Sequence, residues 1–336
     1  MGNLKFDPEI CTGCETTDCL TRCRYLGYDG ETARRERAKL NRGEDSPVLR
    51  DCVTCYACEE YCPRGNHPFY QLVDLQEQKG IHPVPVPFYE KMVRVFAPKG
   101  DFTPATITNT AVNLCLFPDL KPHLKGILFE DSTVLMSKDL FCNLIYLHFG
   151  VSSLINERVP GVLEKLAGCG IEELVCFHDE CYALYASWAP AYGYDVPFRP
   201  VHLFRYLLDR LAENAPRIRK LGLQAAYQRP CSSRLTPEKE PLLDQLFDVV
   251  GVTRVLREYD RENALCCGAV FKMQGRKELA EDVNKRNLDD MVRAGAEVCI
   301  FNCPFCYMTM KDMISGRGLK PLLISDLCRM ALGEEL

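Results

Sequence analysis

Twenty cysteines stand out in this chain of 336 residues, and their spacing carries the chemistry. Eight fall within residues 11–62, five within 115–181 and six within 231–306, with Cys328 alone. The N-terminus shows no signal-peptide pattern, so metal binding or redox chemistry is expected rather than a disulfide framework. Tight C-x2-C pairs agree with this, because closely spaced thiolates converge on one small inorganic core.

The first group is Cys11-x2-Cys14-x4-Cys19-x3-Cys23, followed by Cys52-x2-Cys55-x2-Cys58-x3-Cys62-Pro63. The second run is the pattern that binds [4Fe–4S] clusters in bacterial-type ferredoxins, where three thiolates wrap one cluster and the fourth serves its neighbour. Cluster 1 is therefore assigned to Cys11, Cys14, Cys19 and Cys62, and cluster 2 to Cys52, Cys55, Cys58 and Cys23. Paired zinc sites also use eight thiolates, but the third cysteine of each group and the trailing Cys-Pro are not zinc-ribbon features. The long charged stretch between Cys23 and Cys52 resembles the helical ferredoxin modules fused to larger redox subunits. Its basic residues at 34–39 read as a solvated helix face, with a docking surface for an acidic partner as the alternative.

The last group is Cys231, then Cys266-Cys267-Gly268, then Cys303-Pro304-Phe305-Cys306. Adjacent cysteines point in different directions and can reach separate irons, while Gly268 lets the backbone pass close to a bound group. In residues and intervals this stretch resembles the CCG-domain family, which includes the catalytic subunit of heterodisulfide reductase. The resemblance covers residues 105–336, and the fused ferredoxin-type module extends it to nearly the whole chain. It implies a noncubane [4Fe–4S] cluster held by Cys231, Cys266, Cys267, Cys303 and Cys306.

The elements that must position these thiols alternate between strand-like runs ("STVLMS", "EELVCF", "LQAAYQ", "EVCIFN", "PLLISD") and amphipathic helices. This predicts an α/β fold with a mainly parallel sheet. Sliding the chain by 125 residues places Cys142 on Cys267, Gly150 on Gly275, Gly170 on Gly295, Cys181 on Cys306 and Tyr182 on Tyr307. The expected order is a helical ferredoxin-type domain with two [4Fe–4S] clusters (1–79) and a Pro-rich linker (80–104). Two repeated Rossmann-like CCG halves follow, the first degenerate (105–220) and the second intact (221–336).

In the first half Phe141, Asn143 and His178 stand where the second has Cys266, Gly268 and Cys303. Three readings follow. The half keeps a residual site, a further [4Fe–4S] cluster or zinc, on Cys115, Cys142, Cys181 and either Cys176 or His178. Or it holds no metal and walls the intact site. Or His178, Asp179 and Glu180 form an acid–base group supplying protons there. Cys169 and Cys328 have no cysteine at the matching repeat position and read as ordinary buried cysteines.

With 41 basic and 46 acidic side chains, nothing points to a nucleic-acid or anionic-membrane surface. No apolar run is long enough to span a bilayer, and exposed clusters oxidise readily, so the expected setting is the cytoplasm of an anaerobe, with peripheral association to a membrane complex as a variant. No GxGxxG or P-loop pattern is present, so a flavoprotein or another redox subunit is the expected partner in a hetero-oligomer. The expected function is an oxidoreductase subunit passing electrons from two cubanes to the noncubane cluster, with thiol or disulfide chemistry there. The rival is a non-catalytic electron conduit within a larger assembly.

Overall fold

The computed structural model describes residues 4–336. Its N-terminal part is helical. Asp29 caps the helix Gly30–Asn41 by accepting from Thr32 N at 2.8 Å, and Ala33, Glu36, Arg37 and Leu40 form its buried face. That face splits the basic cluster. Arg34 and Arg35 are exposed, but Arg37 is buried, over the Phe6 ring at 4.9 Å and beside Cys19. The expected solvated face is therefore corrected at Arg37, because the spacing from Ala33 and to Leu40 turns that position inward. The helix Pro68–Gln78 begins with proline at its first position, where the missing N–H costs nothing, and buries Phe69, Leu72, Val73 and Leu75.

The segment after it forms a helix at Val86–Val95. The carbonyls of Val93 and Phe96 accept from the Arg158 guanidinium, each at 3.2 Å, which ties this segment to the α/β part.

The rest is mixed α/β, with two four-stranded parallel sheets. The first contains β1 (Thr110–Cys115), β2 (Ser132–Met136), β3 (Glu173–Cys176) and β4 (Arg199–His202), in the order β2-β1-β3-β4. The second contains β5 (Leu223–Gln228), β6 (Val252–Arg254), β7 (Val298–Phe301) and β8 (Lys320–Leu323), in the order β6-β5-β7-β8. The two orders are identical, and the central strands are buried apolar runs, as parallel sheets covered on both faces require. The repeat also holds in the backbone: Gly150 and Gly275 have φ of 70° and 78°, and Asn143 and Gly268 have 64° and 81°.

The halves pack through the helices Leu203–Glu213 and Glu240–Val250. A buried ion pair joins them, with Asp179 Oδ1 3.0 Å from Lys239 Nζ. The helical part docks on the second half through Glu60, which accepts from Arg229 at 2.8 and 2.9 Å and from Arg234 at 2.6 Å. No helix among the described residues is long and apolar enough to cross a membrane.

Candidate functional site

The ends of β5 and β7 sit where the strand order reverses, the place at which open α/β sheets present ligands. Cys231 follows β5, and Cys303 caps the helix Pro304–Gly316 after β7, with Cys306 in its first turn. Cys266 and Cys267 precede the helix Ala269–Met273. Gly268 is needed there twice over. Its φ is +81°, and a Cβ would lie 3.2 Å from that of Ala280 and 3.3 Å from Asn284 Nδ2. The five cysteines line one cavity, their thiols neighbouring one another in the series Cys231–Cys266–Cys267–Cys306–Cys303.

The first half supplies the rest of the wall. Positions related by the 125-residue shift line the cavity in pairs: Ile145 with Val270, His148 with Met273, His178 with Cys303, and Glu180 with Phe305. His178 Nε2 reaches Cys303 Sγ at 3.3 Å, and His148 Nε2 lies 3.9 Å from Cys231 Sγ. Glu180 sits 3.6 Å from His148 and 3.9 Å from His178. Burial opposes it, yet Cys303, Glu180 and Asp179 push His178 up to about 10, and Cys231 with Glu180 does the same for His148. The hydrogen bond with Cys266 draws Cys231 down to about 6 against burial, with His148 helping. Five soft sulfur donors flanked by two imidazoles fit an iron–sulfur group. Among the described residues, no three His, Cys, Asp or Glu side chains close around a single ion.

The other first-half candidates separate. Asp179 does not line the cavity; it pairs with Lys239, with His202 Nε2 at 3.3 Å, and accepts from Asn302 at 2.9 Å. Cys115, Cys142 and Cys181 neighbour one another in a buried group of their own. Cys176 points elsewhere, donating to Leu174 O at 3.7 Å. Cys169 and Cys328 are buried.

In the helical part, Cys23, Cys52, Cys55 and Cys58 line one cavity that Cys19 also borders. Cys19 is near Cys11 and Cys62, and burial pushes it up to about 12 although Arg37 opposes this. The Cys52–Cys58 loop reaches the five-thiol cavity. Thr54 and Tyr56 bond the two ring nitrogens of His148 at 3.0 Å each. Both adopt positive φ, 56° and 61°, a strained conformation that such contacts must hold in place. Tyr25 Oη accepts from Cys266 N at 3.2 Å and shares a small cavity with Cys55, Cys231 and Cys266.

His148 and Tyr25 are residues that sequence patterns did not single out. For His148 the signal was its repeat partner, Met273.

Residues 225–311 match the family model described as "CCG: Cysteine-rich domain". The chain is 22% identical to a CoM/CoB fumarate reductase subunit of Methanothermobacter marburgensis, over 98% of this chain and 74% of that one. It is 26% identical to a dihydromethanophenazine:CoB–CoM heterodisulfide reductase subunit of Methanosarcina acetivorans over 48% of this chain, spanning only 41% of that relative. The crystal structure of a hypothetical protein from Helicobacter pylori superposes with a TM-score of 0.59 at 13% identity, covering 94% of this chain and 70% of the other, a likeness of fold.

Proposed function

We propose that this chain, whose residues 225–311 match the CCG cysteine-rich domain and which is similar to reductase subunits, is an iron–sulfur oxidoreductase subunit that carries electrons through three iron–sulfur clusters. Two cubane [4Fe–4S] clusters are assigned to Cys11, Cys14, Cys19 and Cys62, and to Cys52, Cys55, Cys58 and Cys23. One noncubane [4Fe–4S] cluster is assigned to Cys231, Cys266, Cys267, Cys303 and Cys306. The reductase-subunit names of the relatives support a hetero-oligomer whose partner is a flavoprotein or another redox subunit.

The observation that carries this reading is the five-thiol cavity, with Cys55 of the helical part sharing an adjoining small cavity with Tyr25, Cys231 and Cys266. Bound there, an iron–sulfur group would supply electrons one at a time to a sulfur-containing substrate. Opening a disulfide consumes two electrons and two protons, RSSR′ + 2e⁻ + 2H⁺ → RSH + R′SH, with the electrons coming from the redox partner. His178 and His148 hold the sulfurs of Cys303 and Cys231. Val270, Met273 and Phe305 exclude water from the same space.

A second reading is favoured by one observation. Phe141, Asn143 and His178 replace three residues of a second complete cysteine set, which fits a relay without a substrate. Iron analysis of anaerobically purified protein tests the cluster assignment: about twelve irons are expected. About eight would remove the noncubane cluster, and about sixteen would add a fourth cluster in the first half. Perturbation of the electron paramagnetic resonance (EPR) spectrum by an added thiol supports the enzyme; an unresponsive spectrum supports the conduit.

A further inference from the structure

We propose that the apolar hollow beside the five-thiol cavity binds the uncharged, apolar tail of a small thiol or disulfide substrate, a proposal that rests on the thiol chemistry assigned above. The hollow has a volume of about 220 Å³, smaller than a whole small-molecule site and suited to one short tail. Its wall is built from Phe96, Leu116, Phe117, Phe141, Phe305 and Met308, and Asp119 is the one charged side chain lining it. With no cation there to meet a phosphate or sulfonate, an aliphatic or aromatic tail is the complementary ligand.

Position supports the assignment. Phe305 borders both spaces, and it sits between Cys303 and Cys306 in sequence. Phe117 packs edge-on against Phe305 at 5.2 Å and lies 6.2 Å from the His178 ring, whose Nε2 bonds Cys303. A tail held in the hollow therefore leaves its sulfur one side chain away from Cys303. Leu116 and Phe141 adjoin Cys115 and Cys142 of the first half, while Phe305 and Met308 come from the second, so both halves contribute to the wall. Phe96 comes from the segment tied down by Arg158 and closes one side, 4.9 Å from Phe141. Met308 stands at the mouth, 42% exposed.

The test titrates anaerobic holoprotein with 2-mercaptoethanol, 1-butanethiol and 1-hexanethiol, reading affinity from the EPR signal. Affinity should rise about threefold to fourfold per methylene. Met308→Glu should weaken hexanethiol binding roughly tenfold or more, by setting a carboxylate against the tail. The same variant should leave 2-mercaptoethanol binding and iron content unchanged, and Met308→Leu should retain tight hexanethiol binding. If all three thiols shift the spectrum with equal affinity, the hollow is not the tail site while the thiol reading stands. If none does, the thiol reading and the hollow fall together.

Discussion

The two α/β halves share strand order and backbone conformation at paired positions, yet they divide the chemistry unequally. The second collects five thiols around one cavity. The first keeps three thiols in a separate group and turns His148, His178 and Glu180 toward its partner's cavity. Loss of Cys at position 178 did not leave the position idle, because the residue there faces its own repeat equivalent, Cys303. A duplicated fold brings equivalent strand ends together, so one copy can shed ligands and still shape the site of the other.

The sharpest way to break this comparison is to remove matching thiols. Cys267→Ala should cost one cluster, about four of about twelve irons, whereas Cys142→Ala at the equivalent position should leave iron content unchanged. Equal losses would make both halves cluster sites. Next in size is the buried pair joining the halves. Lys239→Met removes the cation from the buried Asp179 carboxylate, leaving it His202 and Asn302, and should destabilise the protein by about 3 kcal/mol, measured by chemical denaturation. Adding Asp179→Leu should recover much of that, and a neutral single variant would remove the pair as a clamp.

A smaller contrast concerns the turn before each helix. Gly268→Asn recreates the first-half residue, but it crowds Ala280 and Asn284 and should cost about 1–3 kcal/mol. Asn143→Gly in the first half should stay within about 1 kcal/mol. Glu60→Gln weakens the paired contact with Arg229 and Arg234, and should lower stability by about 1–2 kcal/mol without loss of iron. The last expected effect is none at all. His178→Cys restores the C-x2-C spacing but should add no iron, since Phe141 and Asn143 still replace the adjacent cysteine and the glycine. A rise toward about sixteen irons would overturn that.

Much of the architecture was legible because its determinants are local. The strands at 132–136, 173–176, 223–228 and 298–301 coincide with the apolar runs read from the sequence. The "PLLISD" run reads differently: the strand ends at Leu323, and Ile324 starts a helix. The stretch 178–180 shows why the site was less legible. Its three polar residues are consecutive at a strand-to-helix turn, where successive side chains diverge. His178 and Glu180 face the thiols, while Asp179 faces Lys239. His148 lies in a largely apolar stretch with no ligand spacing, so nothing local marked it.

The sequence alone determined which thiols lie close enough along the chain to share a ligand loop, and that the α/β part is a duplication. Both are matters of spacing, written in short intervals and one constant offset. Only the tertiary structure decided that the halves face each other across one cavity, that Thr54 and Tyr56 reach His148, and that an apolar hollow opens beside Cys303. Those contacts join residues about 90 or more positions apart, and packing between layers, rather than any local pattern, brings them together.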